Sequence, residues 1–116
     1  MKITAKWTGQ YPAKCCGEWH ISVDGEEMPL PEDIRRSHMN TQGSYSGWYF
    51  DDWLEQFYTY DDGVEFGEWS KNNANWIKDG FDQLGVTDLV TIDDVRMLYD
   101  AINENDWRHN SCGGCI

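Results

Sequence analysis

The stretch Glu18–Gly25, "EWHISVDG", decides the fold. Trp19, Ile21 and Val23 fall at every second position, the period of a strand buried on one face. Asp24-Gly25 then supplies residue types suited to a two-residue hairpin turn. Upstream, Lys2–Thr8 "KITAKWT" repeats the alternation, with Ile3, Ala5 and Trp7 on one side. The two runs predict an antiparallel amino-terminal hairpin. Their connection, Gly9–Gly17 "GQYPAKCCG", is rich in turn formers and presents Cys15 and Cys16 on a loop.

Working toward the carboxyl terminus, Met28–Arg36 "MPLPEDIRR" predicts one helical turn after Pro31, a residue favoured at the first helical position. Ser37–Gly47 reads as a loop. Trp48–Gly63 "WYFDDWLEQFYTYDDG" predicts one or two strands ended by Asp62-Gly63. In Glu65–Phe81, the residues Phe66, Trp69, Asn73, Trp76 and Ile77 recur at helical spacing and predict an amphipathic helix stopping near Gly80. Thr91–Asn105 "TIDDVRMLYDAINEN" is the plainest helix. Thr91 with Asp94 resembles a capping box, two acids sit at the positive end of the dipole, and Val95, Leu98 and Ile102 make one stripe. The expected architecture is a single α+β domain over residues 1–116. It has a small antiparallel sheet, two C-terminal helices, and an N-terminal loop joined to the C-terminal tail by a zinc site.

The net charge of −12 is unevenly spread. Residues 1–50 carry five basic and six acidic side chains, whereas residues 51–116 carry four basic and fifteen acidic ones. Such a surface repels phosphate backbones and favours basic partners, which argues against direct nucleic-acid binding. Seven tryptophans, and ten aromatic residues between Tyr45 and Trp69, argue against a disordered acidic tail. These rings read first as core. No apolar run is long enough to span a membrane, and the amino terminus lacks the apolar stretch of a secretory signal. A cytoplasmic location is therefore expected, where disulfides are rare.

Four cysteines in that setting point first to a metal. Cys112 and Cys115 form a Cys-x-x-Cys pair around Gly113-Gly114, a turn from which two thiolates can meet one ion. Zinc takes four ligands at tetrahedral corners, and Cys15 with Cys16 can complete the set. Three thiolates with His109 form a competing set, and His20 is a further reserve ligand. A full sphere of protein ligands leaves no position for water, so such a site is a staple between the chain ends. Free thiols, or a thiol oxidoreductase using Cys112 and Cys115, are the alternatives. The redox reading lacks the usual helix start beside a βαβ unit.

No catalytic motif is present: there is no nucleophile elbow, phosphate loop or His-Glu-x-x-His. Neighbouring acids in a strand point to opposite faces, so Asp51-Asp52 and Asp61-Asp62 make poor chelates. "DDGVEFGE" lacks the alternate-position ligands of a calcium loop. The chain is expected not to be an enzyme.

The segments "YPAKCCGEWHISVDG", "SHMNTQGSYSGWYFDDWLEQFYTYDDG" and "NDWRHNSCGGCI" together resemble small acidic proteins of phages and mobile elements in Firmicutes. Among these are anti-CRISPR inhibitors of type II systems, at least one of them zinc-binding. The resemblance implies a stoichiometric inhibitor, acting in the bacterial host cytoplasm, that binds the RNA-guided nuclease and blocks target DNA loading or cleavage. Such nucleases hold nucleic acid in basic channels. On that reading the contact zone is Asp51, Asp52, Glu55, Asp61, Asp62, Glu65 and Glu68, with Trp53 or Tyr60 as anchors. A solvated acidic face is the plain alternative for those residues. A zinc-stapled adaptor is the alternative for the whole protein, and a monomer is favoured.

Overall fold

The computed structural model describes residues 1–10, 16–37, 39, 41, 46–51, 56–61 and 64–106. The alternating amino-terminal runs become a three-stranded antiparallel sheet, in the order β1 (Ile3–Trp7), β2 (Trp19–Val23) and β3 (Glu26–Glu27). Ile3 pairs with Val23, Ala5 with Ile21 and Trp7 with Trp19, and all six are buried. The Trp7 and Trp19 rings meet edge-on at 5.5 Å, a geometry favoured by the aromatic quadrupole.

Asp24 and Gly25 both adopt positive φ, 52° and 88°, the type I′ geometry whose twist matches the flanking strands. The turn is tied to β1: Lys2 N–H donates to Asp24 Oδ1 at 2.7 Å, and Asp24 N–H donates to the Lys2 carbonyl at 2.8 Å.

Four described helices accompany this sheet, and their apolar residues share one core with its buried face. They are α1 (Glu32–Arg35), α2 (Phe66–Asn72), α3 (Ala74–Leu84) and α4 (Ile92–Asn105), with a 3₁₀ turn at Thr87–Leu89 joining the last two. Pro31 stands one position ahead of the expected place, as the N-cap of α1. The expected capping box of α4 is present: Asp94 N–H donates to Thr91 Oγ1 and Thr91 N–H to Asp94 Oδ2. Leu98, Tyr99 and Ile102 of α4 are buried in the shared core, with Val95 packed against it, and α4 lies against β1.

The expectation of two C-terminal helices is corrected to three, because the first is broken at Asn73. Asn73 Nδ2 donates to the Trp69 carbonyl at 2.8 Å, and its Oδ1 accepts from Trp76 Nε1 at 2.8 Å. The expected stop at Gly80 is also corrected. Gly80 is inside α3 and buried, where an added Cβ would come within 2.6 Å of Met28 Cγ and Sδ. The stop is Gly85, left-handed at φ 72°. There Gly85 N–H donates to the Asp82 carbonyl at 3.0 Å and Val86 N–H to the Phe81 carbonyl at 3.2 Å, a Schellman motif.

The aromatic segment resolves into two strands, β4 (Ser46–Asp51) and β5 (Gln56–Asp61), forming a separate antiparallel pair. Thr41 and Val64 form an isolated parallel bridge, so the backbone on the two sides of this hairpin segment meets. Buried polar tips fix the irregular chain on both sides of it. Trp19 Nε1 donates to the Ser37 carbonyl at 3.0 Å, Trp69 Nε1 to the Met39 carbonyl at 2.8 Å, and Tyr99 Oη to the Val64 carbonyl at 2.7 Å. Among the described residues no helix is long and apolar enough to cross a membrane.

Candidate cysteine centre and acidic surface

The loop that carries Cys15 and Cys16 is pinned where it leaves the sheet. Thr8 N–H donates to the Glu18 carbonyl at 3.1 Å, and Glu18 N–H donates back to Thr8 Oγ1 at 2.9 Å. Just above, Gly17 lies against Gly9 so closely that a Cβ on Gly17 would stand 2.7 Å from Gly9 Cα and 3.0 Å from the Trp7 ring. Only glycine allows that approach. Cys16 is exposed at the edge of an open depression lined by Thr8, Gly17, Glu18 and Arg36.

An accessible sulfur on a loop anchored at its base is the kind of donor a tetrahedral zinc site uses. Cys15, Cys112, Cys115 and His109, the other members of the expected ligand sets, lie outside the described residues. Among the described residues no group of three His, Cys, Asp or Glu side chains is arranged to hold a metal ion.

His20 is otherwise engaged. Its Nδ1 meets Glu27 Oε1, its Nε2 lies 3.2 Å from Glu18 Oε1, and Glu18 also pairs with Arg35 at 3.2 Å. The hydrogen bond that His20 gives to Glu27 holds its pKa above the ordinary value against the opposing effect of burial, assisted by the charges of Glu27 and Glu18. As a reserve ligand, His20 would first have to give up these two carboxylate partners.

The expected contact zone divides along the chain. Asp51 pairs with Gln56 and Asp61 with Ser46, so the two aspartates stand at opposite ends of the β4–β5 ladder, roughly 17 Å apart at strand rise. Tyr60 is the cross-strand partner of Gly47. Asp52, Trp53, Glu55 and Asp62 lie outside the described residues. Glu65 is the N-cap residue of α2 and Glu68 is in its first turn, both exposed at the end where the helix dipole favours negative charge. Of the ten aromatic residues in this region, Trp69 is core, as expected of the rings generally, and Phe66 packs beside it.

The interleaving of rings with acids ends at Trp69, and the expected zone therefore ends at Glu68. The helical layer continues the same charge. Residues 64–106 hold ten carboxylates against Lys71, Lys78 and Arg96. Asp79, Asp82, Asp88, Asp93, Asp100 and Glu104 are all exposed. A helical projection of the acids alone could have found this surface.

Comparison with known proteins gives a family. The family model PM0253 matches residues 5–105. A relative from Pasteurella multocida (strain Pm70), named uncharacterized protein PM0253, is 34% identical over 112 residues, which is 97% of this chain and 90% of that protein. The chain belongs to the PM0253 family. Cys15, Cys16 and the whole described helical layer from Val64 to Asn105 fall within the matched stretch, whereas Cys112 and Cys115 lie beyond it. No solved structure matches the chain.

Proposed function

We propose that this protein is a non-enzymatic binding protein that obstructs a basic macromolecular partner, and that the partner is a type II RNA-guided CRISPR nuclease. The observation that carries the reading is the one-sided charge of the helical layer, eight exposed carboxylates against three exposed basic groups over the described residues 64–106. Charge of this kind speeds encounter and selects the partner more than it supplies affinity. Desolvated rings then supply the anchoring, and Trp53 and Tyr60 are assigned that role. The choice of nuclease comes from the resemblance described above and from the basic channels in which such enzymes hold nucleic acid. The obstructed step is target DNA loading or cleavage.

Zinc is part of the proposal, held by Cys15, Cys16, Cys112 and Cys115. It does no chemistry on a substrate in this reading. It ties the carboxyl-terminal tail to the loop between β1 and β2, and so stiffens the body that docks.

The test is capture of the purified nuclease–guide complex by the immobilised protein. The triple variant Asp61→Lys, Glu65→Lys, Glu68→Lys should bind at least tenfold more weakly while keeping its far-ultraviolet circular dichroism. Equal capture by both proteins removes this surface from the account.

A further inference from the structure

The described large apolar side chains that remain exposed are Leu89, Ile92 and Met97, and the first two are more than 60% exposed, at 69% and 66%. Both sit where the 3₁₀ turn runs into α4. Beside them a groove of about 300 Å³ runs between α3 and the start of α4, walled by Ala74, Ile77, Phe81, Val90, Ile92 and Val95. Lys78 is the one basic side chain on its described lining. Residues 79–95, which form one wall and the turn between the walls, carry five carboxylates (Asp79, Asp82, Asp88, Asp93, Asp94) and no basic residue. Asp82 accepts from Thr87 Oγ1, a groove residue, which fixes one of these acids at the groove edge.

We infer that this groove takes the apolar face of a basic amphipathic helix supplied by a protein partner. From Ala74 to Phe81 the α3 wall is eight residues long, about 10 Å from first to last at helical rise, which matches two turns of an incoming helix. An apolar floor between two helices suits anchors at positions i, i+3 or i+4, and i+7. Asp82, held at the groove edge by Thr87, selects lysine or arginine on the flank of that helix, and the other carboxylates of residues 79–95 add negative surroundings that disfavour an acidic one. They equally disfavour a second copy of this chain, whose own exposed apolar residues carry the same negative surroundings. The inference rests on the protein-binding reading above and names the chemistry of a segment the protein recognises.

The experiment uses three labelled 14-residue peptides in fluorescence anisotropy against the full-length protein. One has leucines at helical spacing flanked by lysines, one has the same leucines flanked by glutamates, and one is a scrambled version of the lysine peptide. The lysine helix should bind at least tenfold more tightly than either of the others. The exposed-site variants Ile92→Ser and Leu89→Ser should weaken it at least fivefold with unchanged circular dichroism. Equal binding of the lysine helix and its scramble, unchanged affinity in both variants, or a wild-type dimer that Ile92→Ser converts to a monomer would each overturn the inference. Binding of the peptide without capture of the nuclease would leave the groove standing and remove only the proposed partner.

Discussion

The indole of Trp69 donates its Nε1–H to the main-chain oxygen of Met39 at 2.8 Å, joining the first turns of the helical layer to the chain that enters the β4–β5 hairpin. Trp69 is 1% exposed and Met39 5%, so neither partner has water as a substitute. The same indole also meets the Trp76 and Tyr99 rings edge-on, at 6.1 and 5.3 Å. One side chain therefore serves packing between three helix segments and the polar needs of an irregular stretch.

Replacing Trp69 with Phe keeps an aromatic ring but removes the donor and part of the volume. The Met39 oxygen is then buried without its partner, and a cavity opens beside Trp76. Urea unfolding should show a loss of about 2–4 kcal/mol.

Gly17→Ala and Gly67→Ala separate close approach from helix propensity. At Gly17 the obstructing atoms belong to the Gly9 backbone, which cannot rotate away, so the variant should lose about 1–3 kcal/mol. At Gly67, inside α2, nothing lies within 4 Å of an added Cβ, and the variant should gain up to about 1 kcal/mol. Thermal melts of the two proteins should move in opposite directions.

His20 gives stability a pH dependence. Its folded-state pKa is raised by Glu27 and Glu18 above the unfolded value. The stabilisation is fully present below the unfolded value and is lost as pH rises through the folded one. Because the ring is 40% exposed and the pairs are screened by solvent, the effect is small, below about 1 kcal/mol. Denaturation between pH 6 and pH 8 should show His20→Gln and Glu27→Gln proteins losing this component, while wild type retains it.

Zinc should be found in the purified protein at one ion per chain by elemental analysis. A strong chelator, or alanine at Cys112 and Cys115, should lower the melting temperature substantially, since a structural zinc contributes on the order of 10 kcal/mol to folding. Metal-free protein whose melting is indifferent to both cysteines would remove the staple.

The sequence was most readable where local pattern and tertiary burial agree. Trp19, Ile21 and Val23 alternate because one face of β2 is core, and Asp24-Gly25 satisfies the turn that follows. Thr91 and Asp94 cap α4 with their own side chains. The break at Asn73 was hidden because Asn73 sits in register with the apolar stripe, and its bonds to Trp69 and Trp76 exist only once the helix has formed. Gly80 looked like a stop because glycine commonly punctuates helices, but its reason for being glycine is Met28, which approaches from a distant part of the chain. The two-residue β3, both glutamates, has no alternation to detect. At the candidate site, residue type and spacing named plausible ligands. His20 shows what spacing cannot supply: its two carboxylate partners come from β3 and from the loop before β2.

The most direct test of the account is a target-cleavage assay with a purified type II nuclease, guide and DNA. Titration with this protein should abolish cleavage near one inhibitor per nuclease at low ionic strength, with the inhibition weakening as salt is raised. Full cleavage at a large molar excess of the protein in low salt, with no complex on size-exclusion chromatography, would contradict it.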